Sequence, residues 1–141
     1  MSATNAMSSK NIRALARHLE IGEGEIKATN YGSFRADRDS DYLVYTDEEA
    51  DNAAREAILD SVWAFRAEFL EAHGVPAEVS EALLPLCEGA NPILLKLLRD
   101  VEHFVEDAIA SDGRGHFLSM YDGQEHEVRV DGETFFIYRE N

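Results

Sequence analysis

The apolar positions change period along the chain, and the changes predict helices framed by short strands. Ile12, Leu15, Ala16 and Leu19 recur at i, i+3, i+4 and i+7, the face of a first helix that Ser8 or Ser9 can cap and Gly22 can stop. Residues 25–36, with Tyr31 and Phe34 around Gly32, read as an irregular strand. Tyr42-Leu43-Val44-Tyr45 reads as a second strand after the polar turn Asp37-Arg38-Asp39-Ser40-Asp41, so the two suggest a hairpin. Thr46-Asp47-Glu48-Glu49 is a capping box, and its extra acids suit the positive end of a helix dipole. The helix it opens is expected to run to about Ala72. Ala50, Ala54, Ala57, Ser61, Phe65, Phe69 and Ala72 form its stripe, widened by Ile58, Val62 and Leu70, until Gly74 and Pro76 end it.

A third helix is expected over about 77–88, burying Val79, Ala82, Leu83, Leu86 and Cys87, kinked or split at Pro85 and stopped at Gly89. Asn91-Pro92 then opens a fourth, Asn91 as its cap, whose apolar face is Leu94, Leu97, Leu98, Val101, Phe104, Val105, Ala108 and Ile109. After Ser111-Asp112-Gly113 the period shortens. Phe117–Tyr121 reads as a strand, and residues 124–130 and 133–139 flank Asp131-Gly132, a strong two-residue hairpin turn. That turn sets Val128 opposite Phe135 and His126 opposite Ile137 on one apolar face. The opposite face holds Thr134, Phe136 and Tyr138, more aromatic surface than an idle solvent face needs, which makes Phe136 and Tyr138 candidate partner-binding residues. The expected class is α+β: a small antiparallel sheet with a C-terminal hairpin packed on a layer of three to four helices. Residues 1–9 are expected to be a flexible tail, with Met7 an alternative start, and 10–141 a single domain.

Charge adds the main functional constraint. The 141 residues carry 28 acids and 13 bases, a formal net charge of −15. Residues 1–40 are near balance at +1, so residues 41–141 carry −16. Such a body repels nucleic acid and anionic membrane and attracts basic surfaces. Glu48, Asp51, Glu56 and Asp60, on or near the outer side of the long helix, are the candidate acidic contacts. The single cysteine, Cys87, precludes an intramolecular disulfide, and neither a signal peptide nor a membrane-length apolar run is visible. The expectation is a protein of a reducing cytoplasm.

Several motifs resemble catalytic or metal sites. Asp37, Asp39, Asp41 and Glu48 imitate a calcium loop, but Tyr42 stands where the sharp turn needs glycine. His103 pairs naturally with Asp107 at i, i+4, and His116 and His126 would have to fold beside it to make a metal or catalytic centre. His116, Ser119 and Asp122 have the residue types of a nucleophilic triad without a nucleophile elbow. Gly113-Arg114-Gly115 is too short to cradle a phosphate and follows a helix instead of opening one. Lys10, Arg13 and Arg17 give the first helix a basic edge with no aromatic stacking platform. No cofactor is expected.

Three stretches carry a resemblance: Tyr42 to Asp51, Trp63-Ala64-Phe65-Arg66-Ala67-Glu68-Phe69-Leu70, and Gly113 to Gly123. Over roughly residues 40–141 the chain resembles small acidic accessory proteins of bacteriophages and other mobile elements. The resemblance implies a bacterial cytoplasmic setting and action by binding a host protein, as anti-CRISPR proteins do. The leading expectation is a non-enzymatic interaction protein that covers a basic, nucleic-acid-binding surface of a host defence protein. Two alternatives stand beside it: a structural module pairing as a homodimer, and an enzyme, with or without metal, using His103, His116 and His126.

Overall fold

The computed structural model describes residues 3–36 and 39–141 and has the α+β class. The chain forms two compact units, Met1–Ala53 with Arg114–Asn141, and Ala54–Gly113. The first holds the sheet. Helix α1 (Ala3–Leu19) precedes strands β1 (Ile26–Ala28), β2 (Phe34–Ala36) and β3 (Ser40–Tyr45), and helix α2 (Asp47–Asp60) begins in this unit. The second unit is wholly helical, with α3 (Ala67–Ala72), α4 (Ala77–Leu83), α5 (Asn91–Leu97) and α6 (Val101–Asp112). The chain then returns to the first unit through α7 (Arg114–Leu118) and strands β4 (His126–Val130) and β5 (Glu133–Arg139).

The five strands form one antiparallel sheet in the order β1-β2-β3-β5-β4. The expected irregular strand is thus two strands, β1 and β2, joined by a turn in which Gly32 takes φ +78°. The Asp131-Gly132 turn sets the register read from the sequence, Val128 opposite Phe135 and His126 opposite Ile137. Both turn residues have positive φ, 51° and 81°, as a type I′ turn requires. On one face Ile26, Phe34, Ala36, Tyr42, Val44, Val130, Phe135 and Ile137 pack on Ala14, Leu15 and Ala16 of α1. Helix α1 supplies the helical side of this core cluster. The basic edge of α1 clips it to the β4–β5 hairpin: Lys10 reaches Glu133 at 3.2 Å, Arg13 reaches Asp131, and Arg17 donates to the Arg129 carbonyl. α1 starts at Ala3, inside the stretch expected to be a tail. It ends at Glu20 (φ +59°), two residues before Gly22, with the Ile21 N–H closing onto the Ala16 carbonyl at 3.1 Å.

The capping box forms as read: the Glu49 N–H donates to Thr46 Oγ1 at 3.3 Å, and the Thr46 N–H donates to Glu49 Oε1 at 2.8 Å. The long helix, however, stops at Asp60 instead of Ala72. Ser61 folds its hydroxyl back onto the Ala57 carbonyl at 2.8 Å, and a 3-10 turn over Val62–Ala64 leads to extended backbone at Phe65 and Arg66. Asn91 sustains the break, donating to the Asp60 carbonyl at 2.6 Å and accepting from the Trp63 N–H at 3.0 Å. The side chain expected to cap α5 therefore serves the end of α2. The fourth helix is also divided. Leu98 is extended (ψ 133°), and Asp100 caps α6 by accepting from the His103 N–H at 3.1 Å.

Gly113 (φ +83°) ends α6, and the stretch expected as a strand, Phe117–Tyr121, is instead the end of helix α7 (Phe117 and Leu118) followed by a turn at Met120 and Tyr121. Gly115 explains the packing there: a Cβ at this position would lie 2.4 Å from the Gly123 carbonyl oxygen. Gly115→Ala should lower unfolding stability by about 3 kcal/mol, the upper end for overpacking, measured by urea denaturation. Asn91→Ala, which leaves two backbone groups at the α2 break without their partner, should cost about 1 kcal/mol in the same assay. A wild-type midpoint in either variant contradicts the packing described for it.

Candidate interaction surfaces and polar clusters

Arg114 organises the outer face of the sheet. Its side chain is only 10% exposed and meets three carboxylates: Asp47 at 2.8 Å, Asp51 at 3.0 Å and Glu125 at 2.8 Å. Its guanidinium also lies 4.5 Å from the centroid of the Phe136 ring. Burial alone would lower the arginine pKa, but the bonds to Glu125 and Asp47 outweigh it and hold the cation fixed. Glu125 also accepts from the Tyr138 hydroxyl, and burial first, then this bond, pushes that phenol well above its ordinary pKa.

This arrangement corrects two expectations. Tyr138 is fully buried, so it belongs to the core instead of a partner surface, and Phe136 is half-buried beneath Arg114. The excess aromatic surface read from the hairpin is covered from within the unit. Asp51 is exposed but engaged by Arg114, whereas Glu48, Glu56 and Asp60 stand exposed along α2 with their carboxylates outside every ion pair among the described residues. Arg114, read only as part of a failed phosphate loop, was the missed residue. Its flanking glycines, Gly113 and Gly115, were the available signal, because they mark a tightly packed turn.

The histidines take separate partners. His73 is buried, and its Nε2 lies 2.7 Å from Asp107 Oδ2, so the carboxylate expected to pair with His103 serves His73. The His103 ring lies 5.3 Å from His73, and the Phe104 ring packs at 5.0–5.3 Å on Phe65, Phe69 and His73. In the sheet unit His126 lies 4.6 Å from His18, and His116 packs edge-on against Phe117. Among the described residues no three His, Cys, Asp or Glu side chains are grouped to hold a metal. Asp37 of the calcium-like motif lies outside the described residues, and Asp41 is held at 2.8 Å by Arg35. Ser119 is buried within 2.8 Å of Asp122 Oδ1 and 2.7 Å of the Arg139 carbonyl. Asp122 also accepts from the Gln124 N–H, which, ahead of the Ser119 bond, draws its carboxyl below the usual range. The Ser119–Asp122 pair is thus turn chemistry, and the His116 ring packs on Phe117.

The helical unit presents a different surface. Residues 54–113 carry twelve acids and four bases, a net of −8. Among the described residues only Glu102, paired to Arg55, and Asp107, on His73, make ion pairs in this unit. The other ten acids are exposed. The third helix inverts its expected burial. Ser80 is buried, whereas Leu84 is 51% and Leu86 54% exposed and Cys87 is exposed as well. α4 stops at Leu83, a 3-10 stretch over Leu84–Ala90 follows with Pro85 in its first turn, and within it Cys87 takes φ +52°, ψ −128°, a glycine-like conformation. On α5, Leu94 is buried but Ile93 and Leu97 are exposed. No helix among the described residues is long and apolar enough to cross a membrane.

The His18–His126 contact generates a pH prediction. Burial first, then the neighbouring His126, lowers the His18 pKa below 6.5. The folded protein therefore takes up this proton less readily than the unfolded chain. Its contribution to stability is present above pH 6.5 and is lost as pH falls below that value. Urea midpoints should fall between about pH 7.5 and about pH 5.5, and His18→Gln should flatten the slope. An identical slope in that variant contradicts the assignment.

Comparison with protein-family models, curated proteins and solved structures gives no match.

Proposed function

We propose that the chain is a non-enzymatic acidic binding protein that covers a basic, nucleic-acid-binding surface of a partner, in its sharpest form a host defence protein opposed by a phage or plasmid. The observation that carries this reading is the charge of the helical unit: ten of its twelve acids are exposed and outside every ion pair among the described residues. Charge left unpaired on a folded surface costs stability through self-repulsion, and a basic partner relieves it. In the sheet unit, by contrast, Lys10, Arg13, Arg35 and Arg114 all serve internal acids. Among the described residues no buried side-chain nitrogen or oxygen lacks a partner. The exposed leucines and isoleucine favour a second reading, a homodimer, which concentration-dependent sedimentation tests.

The deciding experiment captures partners on the immobilised chain from nuclease-treated bacterial lysate, then reconstitutes the complex from purified components. The dissociation constant should rise at least about tenfold between about 50 and about 300 mM NaCl. The partner's own DNA or RNA should compete, and Glu56→Lys with Asp60→Lys should weaken binding by about tenfold. A complex indifferent to salt and to nucleic acid, or no partner at all, overturns the proposal.

A further inference from the structure

Among the described residues the exposed large aliphatic side chains are Leu84, Leu86, Ile93 and Leu97, all within one fourteen-residue stretch. Scattered exposed leucines need no explanation, but a concentration of this kind does. The stretch is not loosely attached. Ala90, Leu94 and Leu98 are buried, so α5 presents one apolar side inward and a second, Ile93 with Leu97 one turn on, outward. A solvent-facing helix has no use for the second stripe. In the preceding 3-10 stretch the backbone at Cys87 adopts a conformation costly for any residue but glycine, and its neighbour Leu86 is exposed. The local sequence thus accepts strain and exposure together.

Charge selects the occupant. Glu78, Glu81 and Glu88 flank the leucines in sequence, exposed and outside every ion pair among the described residues, and Lys96 is the only base in the sequence between residues 77 and 97. A second copy of the chain would set another unit of −8 against this one. We propose, on the reading above, that Leu84, Leu86, Ile93 and Leu97 with their glutamate rim form the docking surface for a basic amphipathic helix of the partner. The partner's apolar side chains fill the leucine patch, and its lysines or arginines meet Glu81 and Glu88. Apolar contacts then supply the dwell time and the acids the approach and orientation.

The test uses the full chain and two fluorescent peptides of equal charge. One is a helical leucine–lysine peptide with an apolar stripe, and the other has every leucine replaced by glutamine. Anisotropy at about 150 mM NaCl should show the striped peptide binding at least about tenfold more tightly. Leu86→Gln with Ile93→Gln should remove at least about tenfold of that affinity, whereas Tyr31→Gln, at an exposed aromatic in the sheet unit, should change nothing. These side chains are at the surface, so the variants keep a wild-type urea midpoint, and that is measured alongside. Equal binding of the two peptides, or undiminished binding by the double variant, overturns the proposal. So does a wild-type dimer that Ile93→Gln converts to monomer, which would assign the face to a second copy. In the reconstituted complex, loss of binding in Glu56→Lys with Asp60→Lys but not in Leu86→Gln with Ile93→Gln would sink this surface and leave the acidic reading standing.

Discussion

A guanidinium held at one-tenth exposure must be surrounded by carboxylates, and the outer side of the sheet unit is built to meet that demand. Arg114 draws the first turn of α2, through Asp47 and Asp51, and the loop before β4, through Glu125, onto the ring of Phe136. Each segment is thereby positioned for something else. The α2 start is free to be acid-rich because its charge is partly answered. Glu125 can accept from Tyr138, which lets a phenol sit in the core with its hydroxyl satisfied. Gly115 follows directly because the Gly123 carbonyl approaches too closely for any side chain. Removing the cation would leave three carboxylates facing one another at a partly buried site, which is why a single residue carries so much of this face.

The two units treat charge in opposite ways. In the sheet unit the bases make internal contacts: Lys10 and Arg13 fasten α1 to acids of the hairpin, Arg17 to a hairpin carbonyl, and Arg35 holds Asp41. In the helical unit ten of the twelve acids are exposed and outside the ion pairs among the described residues, and Leu84, Leu86, Ile93 and Leu97 of the same unit are exposed as well. The net charge is split nearly evenly, −7 on the sheet unit and −8 on the helical unit, so the units differ in the number and use of their bases. Solubility alone calls for dispersed charge. Unpaired acids beside exposed leucines have instead the composition of a recognition surface, an apolar centre with a polar rim.

Local chemistry was legible in the sequence wherever the interacting atoms lie within a few residues of each other. The Thr46–Glu49 box, the Asp131-Gly132 turn with its register, and the α1 stripe follow from steric and hydrogen-bonding rules that operate at short range, and the structure has each of them. The helix ends were less legible. Ser61 and Asp100 look like ordinary polar residues within continuous apolar periodicity. The breaks they mark depend on Asn91, thirty-one residues from Asp60 in one case, and on a cap at Asp100 in the other.

Covering was the property that sequence periodicity could not supply. A stripe of apolar residues establishes that certain side chains share a face, but not which other part of the chain will lie on it. The hairpin face of Phe136 and Tyr138 and the stretch of Leu86 and Leu97 look equally apolar as strings. Arg114 and its acids close the first, whereas the leucines remain exposed. The histidines follow the same logic: Asp107 sits one turn from His103, yet its carboxylate goes to His73, thirty-four residues away. The sequence by itself determined the class of fold, the capped start of α2 and the hairpin register, because those are set by neighbours in the chain. Only the tertiary structure decided which faces are buried and which acids are left unpaired, because those are set by contacts between residues far apart in the chain.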